Sequence, residues 1–253
     1  MILRRGPSKS VCAILWDRQR DTFELGQWLR GRIYERRADL SPDGKHLIYF
    51  AMNGRWRSPT KGAWTAVSRA PFLKALVLLG KGDCWHGGGL FTGKHKYWLN
   101  DGYGHHVLRQ SSEVQRDADY RPSAHYGGEC PGVYYLRLQR DGWQLKDAIS
   151  ERSFTVFEKP LPHGFVLRKY AHAEVGAPPG KGCYWDEHEL DHADANKRVD
   201  GKSWEWADLD GKQLVFAQGG GLFRAGLHKS GLTEPTLLRD FSDMTFAAIA
   251  APY

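Results

Sequence analysis

His188, Glu189 and His192 carry the sharpest chemical signal in the chain. In the order His188-Glu189-Leu190-Asp191-His192, a helix would set two imidazoles one turn apart. They could then hold a zinc ion, with Glu189 as general base on the bound water. On a strand the same residues behave differently. Alternation gives His188 and His192 one face but separates them by more than roughly 10 Å at about 3.3 Å per residue, too far for one ion to bridge. The element under residues 184–192 therefore decides whether this chemistry exists.

Letter for letter the motif resembles the signature of zinc metallopeptidases, and that resemblance implies a zinc-dependent hydrolase with Glu189 catalytic and His188 and His192 as ligands. The surroundings depart from that family. Asp191 puts a charge where those helices carry uncharged residues, and Asp186, Glu187 and Asp194 make the segment acidic throughout. Aligning Trp185 with Trp85 lays Leu190 over Leu90, inside what reads as a strand, and no spacing points to a third ligand. The chain has no Gly-x-Ser-x-Gly elbow, Walker-type phosphate loop or dinucleotide fingerprint, so acyl transfer and nucleotide hydrolysis lose support.

Residues suited to binding fall in predicted loops: Arg55, Trp56, His86, His105, His106, Asp186 and His188. Charge is uneven as well. Residues 1–74 hold 15 Lys or Arg against 6 Asp or Glu, a balance of +9, and residues 75–253 hold 21 against 23, a balance of −2. Arg30, Arg32, Arg36 and Arg37 alternate within the basic third and predict a row of guanidinium groups for phosphate or an acidic partner. Trp28 and Tyr34 are the nearby aromatics that nucleic-acid stacking would require.

The elements that must position these residues announce themselves by repetition. Ala38-Asp39-Leu40-Ser41-Pro42-Asp43-Gly44-Lys45 runs into His46-Leu47-Ile48-Tyr49-Phe50-Ala51, and Ala207-Asp208-Leu209-Asp210-Gly211-Lys212 runs into Gln213-Leu214-Val215-Phe216-Ala217. Each phrase reads as a β-hairpin, with Asp-Gly at the reversal and a following strand apolar enough to be buried on both faces. Gly80-Lys81-Gly82-Asp83-Cys84-Trp85 returns as Gly180-Lys181-Gly182-Cys183-Tyr184-Trp185, and Gly87 to Phe91 returns as Gly219 to Phe223. Strands are expected at 12–16, 46–51, 84–91, 132–138, 183–190 and 213–217. Six such landmarks in 253 residues (253/6) give about 42 per unit, the length of a propeller blade.

The Leu40 to Lys45 hairpin with Leu47-Ile48-Tyr49-Phe50 resembles the blade phrase of WD-repeat-like and Tol-type β-propellers. That resemblance implies an all-β fold and a binding platform, and it brings no catalytic residues. The expectation is one domain over 1–253, a six-bladed propeller with five longer blades as the alternative. Residues 246–253, which look like 64–72 with one deletion, would pair with the N-terminal strand to close the ring. The expected function is a non-enzymatic platform for a protein partner. The alternatives are the zinc hydrolase and a nucleic-acid or polyanion binder using the basic third.

Composition sets the remaining bounds. No run approaches the roughly 20 apolar residues that span a bilayer, since Lys74 interrupts the best one, so no membrane association is expected. The apolar stretch after Arg4, Arg5 and Lys9 is too short for a signal peptide. Cys12, Cys84, Cys130 and Cys183 lack paired metal spacing and read as free buried thiols in a reducing, cytoplasmic setting.

Overall fold

Hairpin chemistry accounts for much of the architecture. Both copies of the repeated phrase fold as antiparallel pairs, with Gly44 and Gly211 at φ 74° and 61° in the left-handed region a glycine adopts without strain. In the first copy the Asp43 carboxylate accepts from the Ser41 hydroxyl at 2.6 Å and the Lys45 amide at 3.2 Å, while Ser41 Oγ accepts the His46 N–H at 2.9 Å. The computed structural model describes residues 1–6, 9–147, 153–174 and 182–253. They divide into two compact units, Met1–Arg137 with Met244–Tyr253, and Leu138–Asp243.

In the first unit, β1 (Ile2–Gly6), β2 (Ser10–Asp17) and β3 (Thr22–Arg30) form one antiparallel sheet. A second sheet, in the order β10-β7-β6-β5-β4, joins β4 (Arg32–Leu40), β5 (His46–Met52), β6 (Ala63–Arg69), β7 (Ala75–Gly80) and β10 (His106–Arg109). A third contains β8 (Gly89–Phe91), β9 (Lys96–Leu99) and β11 (Gln115–Arg116).

The five-stranded sheet is covered on both faces. Leu47, Tyr49, Ala51, Trp64 and Ala66 pack with Val11, Leu3 and Leu29 of the first sheet. Ile48, Val67, Val77 and Leu79 pack with Phe91, Tyr97 and Leu99 of the third. Alternating residues of β5 thus serve two cores, the physical reason for its unbroken apolar run.

Residues 132–138 depart from expectation. They lie in α1 (Cys130–Arg140), with Pro131 in its first turn, where a missing amide hydrogen costs nothing. Val133 and Leu136, three apart on one helical face, pack on Leu90 with Trp98 and Tyr126 beside them. Tertiary burial overrides the β propensity of Val-Tyr-Tyr.

In the second unit, β12 (Gln144–Asp147), β13 (Phe154–Pro160), β14 (Phe165–Ala173), β15 (Tyr184–His192) and β16 (Val199–Gly201) form an antiparallel sheet in chain order. The other sheet contains β17 (Trp206–Asp210), β18 (Gln213–Gln218), β19 (Gly221–His228) and β20 (Gly231–Leu232), with β21 (Thr236–Asp240) also on β19. The second copy of the phrase is the β17–β18 hairpin, with Asp210 opposite Gln213. The Gly219 to Phe223 echo leads into β19 as Gly87 to Phe91 leads into β8. Gly180 and Lys181 of the remaining echo lie outside the described residues.

The fold is therefore all-β in character, but among the described residues its sheets do not close into a ring of blades. Residues 244–253 contain no strand, so the expected pairing of the two chain ends is absent. Side chains make the attachment instead. Gln27 Nε2 donates to the Ile249 carbonyl at 2.9 Å, and the Tyr253 hydroxyl accepts the Arg69 amide at 3.0 Å while donating to the Lys74 carbonyl at 2.6 Å. Among the described residues no helix is long and apolar enough to cross a membrane. All four cysteines are free, with Cys12 and Cys130 buried, Cys84 half-buried and Cys183 exposed, contrary to the expectation of burial throughout. Burial pushes the Cys12 thiol up to about 11, which leaves it inert at neutral pH.

Candidate functional site

Three loops of the first unit interlock. They are 53–62 between β5 and β6, 81–88 between β7 and β8, and 100–105 between β9 and β10. The Lys81 amide donates to the Ala63 carbonyl at 2.9 Å, Gly87 to the Asn100 carbonyl at 2.8 Å, and Asn100 to the Gly88 carbonyl at 3.0 Å. Nε2 of His106, the first residue of β10, donates to the Pro59 carbonyl at 2.9 Å. Gly87 and Gly88 sit at φ 87° and 71°, and a Cβ there would overlap the Phe50 ring or the Arg37 backbone, so only glycine permits this close approach.

Beneath the loops lies a polar floor. The Asp101 carboxylate accepts from His105 Nδ1 at 2.9 Å, so His105 Nε2, 3.3 Å from Thr65 Oγ1, accepts the threonine proton. Thr65 Oγ1 in turn accepts the Gly88 N–H at 2.9 Å. The order Asp-His-Thr has the connectivity of a nucleophile relay. Thr65 is wholly buried, however, and its oxygen already holds a backbone amide, so the relay works as a buckle between β6 and the glycine loop.

Burial lowers the His105 imidazole below its ordinary value, against the pull of Asp101, and keeps it neutral. Burial pushes the Asp101 carboxyl up, but the His105 hydrogen bond and the Arg116 guanidinium at 3.1 Å outweigh it and hold it below the ordinary value. Beside this pair the Lys81 ammonium, almost fully buried, meets Asp83 at 2.9 Å and sits 5.6 Å from the centre of the Tyr103 ring.

His86, at φ 58°, lies 6.0 Å from Tyr103 in a cavity of about 290 Å³ that it shares with Asp101, Arg116 and Arg121. Gly102 and Gly128 make room for its ring, which a Cβ at either position would overlap. Burial, then the Lys81 and Arg37 cations, lower its pKa.

Each of the three loops carries one exposed aromatic: Trp56 at 55 %, Trp85 at 59 % and Tyr103 at 79 % exposure. The structure thus brings Trp56, His86, His105 and His106 into one loop cluster, with Arg55 beside Trp56. Burial makes His105 a positioning residue without access to a partner. Trp85, Lys81 and Thr65 were not singled out from sequence as binding or positioning residues. The signal that could have found them is the density of glycines between 80 and 104, which marks a loop cluster where backbone passes close to backbone.

Asp186 and His188 do not join the cluster, because both lie on β15 of the second unit. His188 is completely buried opposite Lys169, with Nδ1 donating to the Trp204 carbonyl at 3.0 Å and Nε2 accepting the Lys169 ammonium at 2.8 Å. Asp186 sits 3.4 Å from the same ammonium. Glu189 takes the opposite face and pairs with Arg168 and Arg198, and His192 bonds the His163 carbonyl. The zinc reading fails on this geometry. The motif is a strand, both nitrogens of His188 are engaged, and among the described residues no three ligating side chains converge on an ion position.

The four arginines do not form one row either. Beyond Tyr34 the β4–β5 pairing shifts register, and Arg36 and Arg37 turn into the core. Arg37 donates through Nη1 to the Cys84 and His86 carbonyls at 2.6 Å each, tying β4 to the site loop. Arg36 and Arg32 lie over Tyr134 and Tyr34. Only Arg30 remains fully exposed, over Phe246.

Comparison with known proteins finds no matching family model, curated protein or solved structure.

Proposed function

We propose that the loop cluster of the first unit captures a protein partner and that the chain acts by binding rather than by catalysis. The observation that carries this reading is the placement of Trp56, Trp85 and Tyr103, three large exposed aromatics on three loops held by backbone hydrogen bonds and by His106 on the Pro59 carbonyl. Rigid aromatics lose little entropy when covered and dominate the energy of protein interfaces. The 53–62 loop adds Arg55, Arg57 and Lys61 without an acidic residue, so the complementary partner segment is acidic with apolar anchors. A propeller is not required for this reading, since stacked sheets present the same loops.

The test is retention of a partner by the immobilised chain, repeated with that partner purified. Trp56→Ala/Trp85→Ala/Tyr103→Ala should weaken capture at least roughly tenfold, as loss of interface anchors does, and Trp206→Ala in the second unit should leave it unchanged. Equal retention by the triple variant and the unaltered chain would remove the site from this face.

A further inference from the structure

One open concavity of the first unit belongs to neither the aromatic cluster nor the buried arginines. It is an open cleft of about 530 Å³ whose walls include Lys9, Arg30, Gly31, Asn53, Arg55 and Phe246. Among the described residues no carboxylate lines it, and Lys9, Arg30 and Arg55 form no ion pair. Other cations of the unit are neutralised, as with Arg5 on Glu35 and Arg69 on Glu113. Three uncompensated cations around one cleft raise the local potential and favour an anion.

The backbone holds them together. The Gly31 amide donates to the Lys9 carbonyl at 2.7 Å, which fixes the turn before β2 to the turn after β3. Gly31 stands at φ 157°, where a Cβ would overlap the Met52 carbonyl and push the 52–55 segment away. Asn53 Oδ1 accepts the Arg55 amide at 3.0 Å, leaving its Nδ2 as a further donor. Phe246, 41 % exposed, supplies an aromatic wall, with the Arg30 guanidinium 4.5 Å from its ring centre.

We infer that this cleft binds the phosphates of a nucleotide, either free or as a unit of a single strand, with Lys9, Arg30 and Arg55 on the phosphates and Phe246 against the base. Guanidinium groups match phosphate in charge and geometry, an aromatic face accepts any base, and the volume lies within the roughly 300–1,000 Å³ of small-molecule sites.

Binding of a nucleoside 5′-triphosphate, a 12-nucleotide oligothymidylate and inorganic tripolyphosphate tests this, with the thermal midpoint checked for each variant. Arg30→Glu/Arg55→Glu should lose at least roughly tenfold in nucleotide affinity. Arg20→Glu/Lys45→Glu, an equal charge change on exposed residues of the same basic third, should lose less than about twofold. Should the acidic pair fail to fold, Arg30→Gln/Arg55→Gln is expected to lose at least about fivefold. Phe246→Ala should weaken the triphosphate several-fold and leave tripolyphosphate unchanged. A tighter triphosphate identifies a free nucleotide. A tighter oligonucleotide, with a log–log salt slope near −2 for three neutralised phosphates at about −0.7 each, identifies the strand. Absence of binding by both nucleotide probes, equal losses in the two charge-reversed pairs, or unaltered nucleotide binding by Phe246→Ala would overturn the assignment.

Discussion

His105 shows how a residue that invites a chemical reading can serve position instead. Its two nitrogens bridge Asp101 and Thr65, and through Thr65 they reach the Gly88 amide, so the imidazole joins two loops to β6. Because burial lowers its folded pKa below the ordinary 6.5, protonation favours the unfolded chain. The stability it contributes is complete above about pH 6.5 and is lost as the pH falls through the lower folded value. Urea midpoints should therefore fall between about pH 7.5 and 5.5, and His105→Gln, less stable at the upper pH, should show a smaller fall. A variant with an undiminished pH response would show that His105 does not carry it. Sequence marked His105 and His106 as binding residues. It did not mark Thr65, which is 40 residues away and meets His105 only once β6 and the loop pack together.

At the scale of elements, the β14–β15 register governs the second unit. It sets Lys169 across from His188 and Arg168 across from Glu189, so one pair is buried together and the other joins an ionic network on the opposite face. His188→Leu removes the close acceptor of a buried ammonium that keeps only the longer Asp186 contact at 3.4 Å, and should cost about 1–3 kcal/mol of unfolding free energy, read from denaturant unfolding. Zinc should produce no shift in either protein. A midpoint raised by zinc in the unaltered chain alone would restore the metal reading. The strand expected at 183–190 forms here, whereas of the strand expected at 84–91 only 89–91 does, so Trp85 lies in a loop and its alignment with Trp185 holds only from residue 89 onward. The helix at 130–140 was not legible, because Val133, Tyr134 and Tyr135 favour a strand locally and only Leu90 and Trp98 reward the helical spacing.

For the whole molecule, residues 244–253 belong to the first unit although the whole of the second unit's sequence precedes them. Gln27 is the centre of that attachment. Its Oε1 accepts the Leu73 and Lys74 amides at 2.8 and 2.9 Å, and its Nε2 holds Ile249. Tyr253 adds two hydrogen bonds and packs edge-on against Phe72 at 6.3 Å. Deleting 244–253 removes the partner of the Arg69 amide, the Lys74 carbonyl and the Phe72 ring and should lower the first unit's melting midpoint by roughly 4–8 °C, since one lost kcal/mol shifts a domain of about this size by a few degrees. Limited proteolysis would show earlier cleavage near residues 69–74. An unchanged midpoint would mean that the segment is incidental to the unit.

Local chemistry was enough for the sequence to determine the two hairpins, the all-β character, the doubly buried strand at 46–51 and the strand beneath His188. Asp-Gly turns and apolar runs act over a few residues, and they behave alike wherever they occur. How sheets stack, which arginines turn inward, where the chain end docks and which loops meet over His105 were decided by the tertiary structure alone. Those outcomes depend on burial and hydrogen bonding between residues far apart in the chain, and no local pattern encodes them. The same phrase therefore appears in two separate sheets, one in each unit.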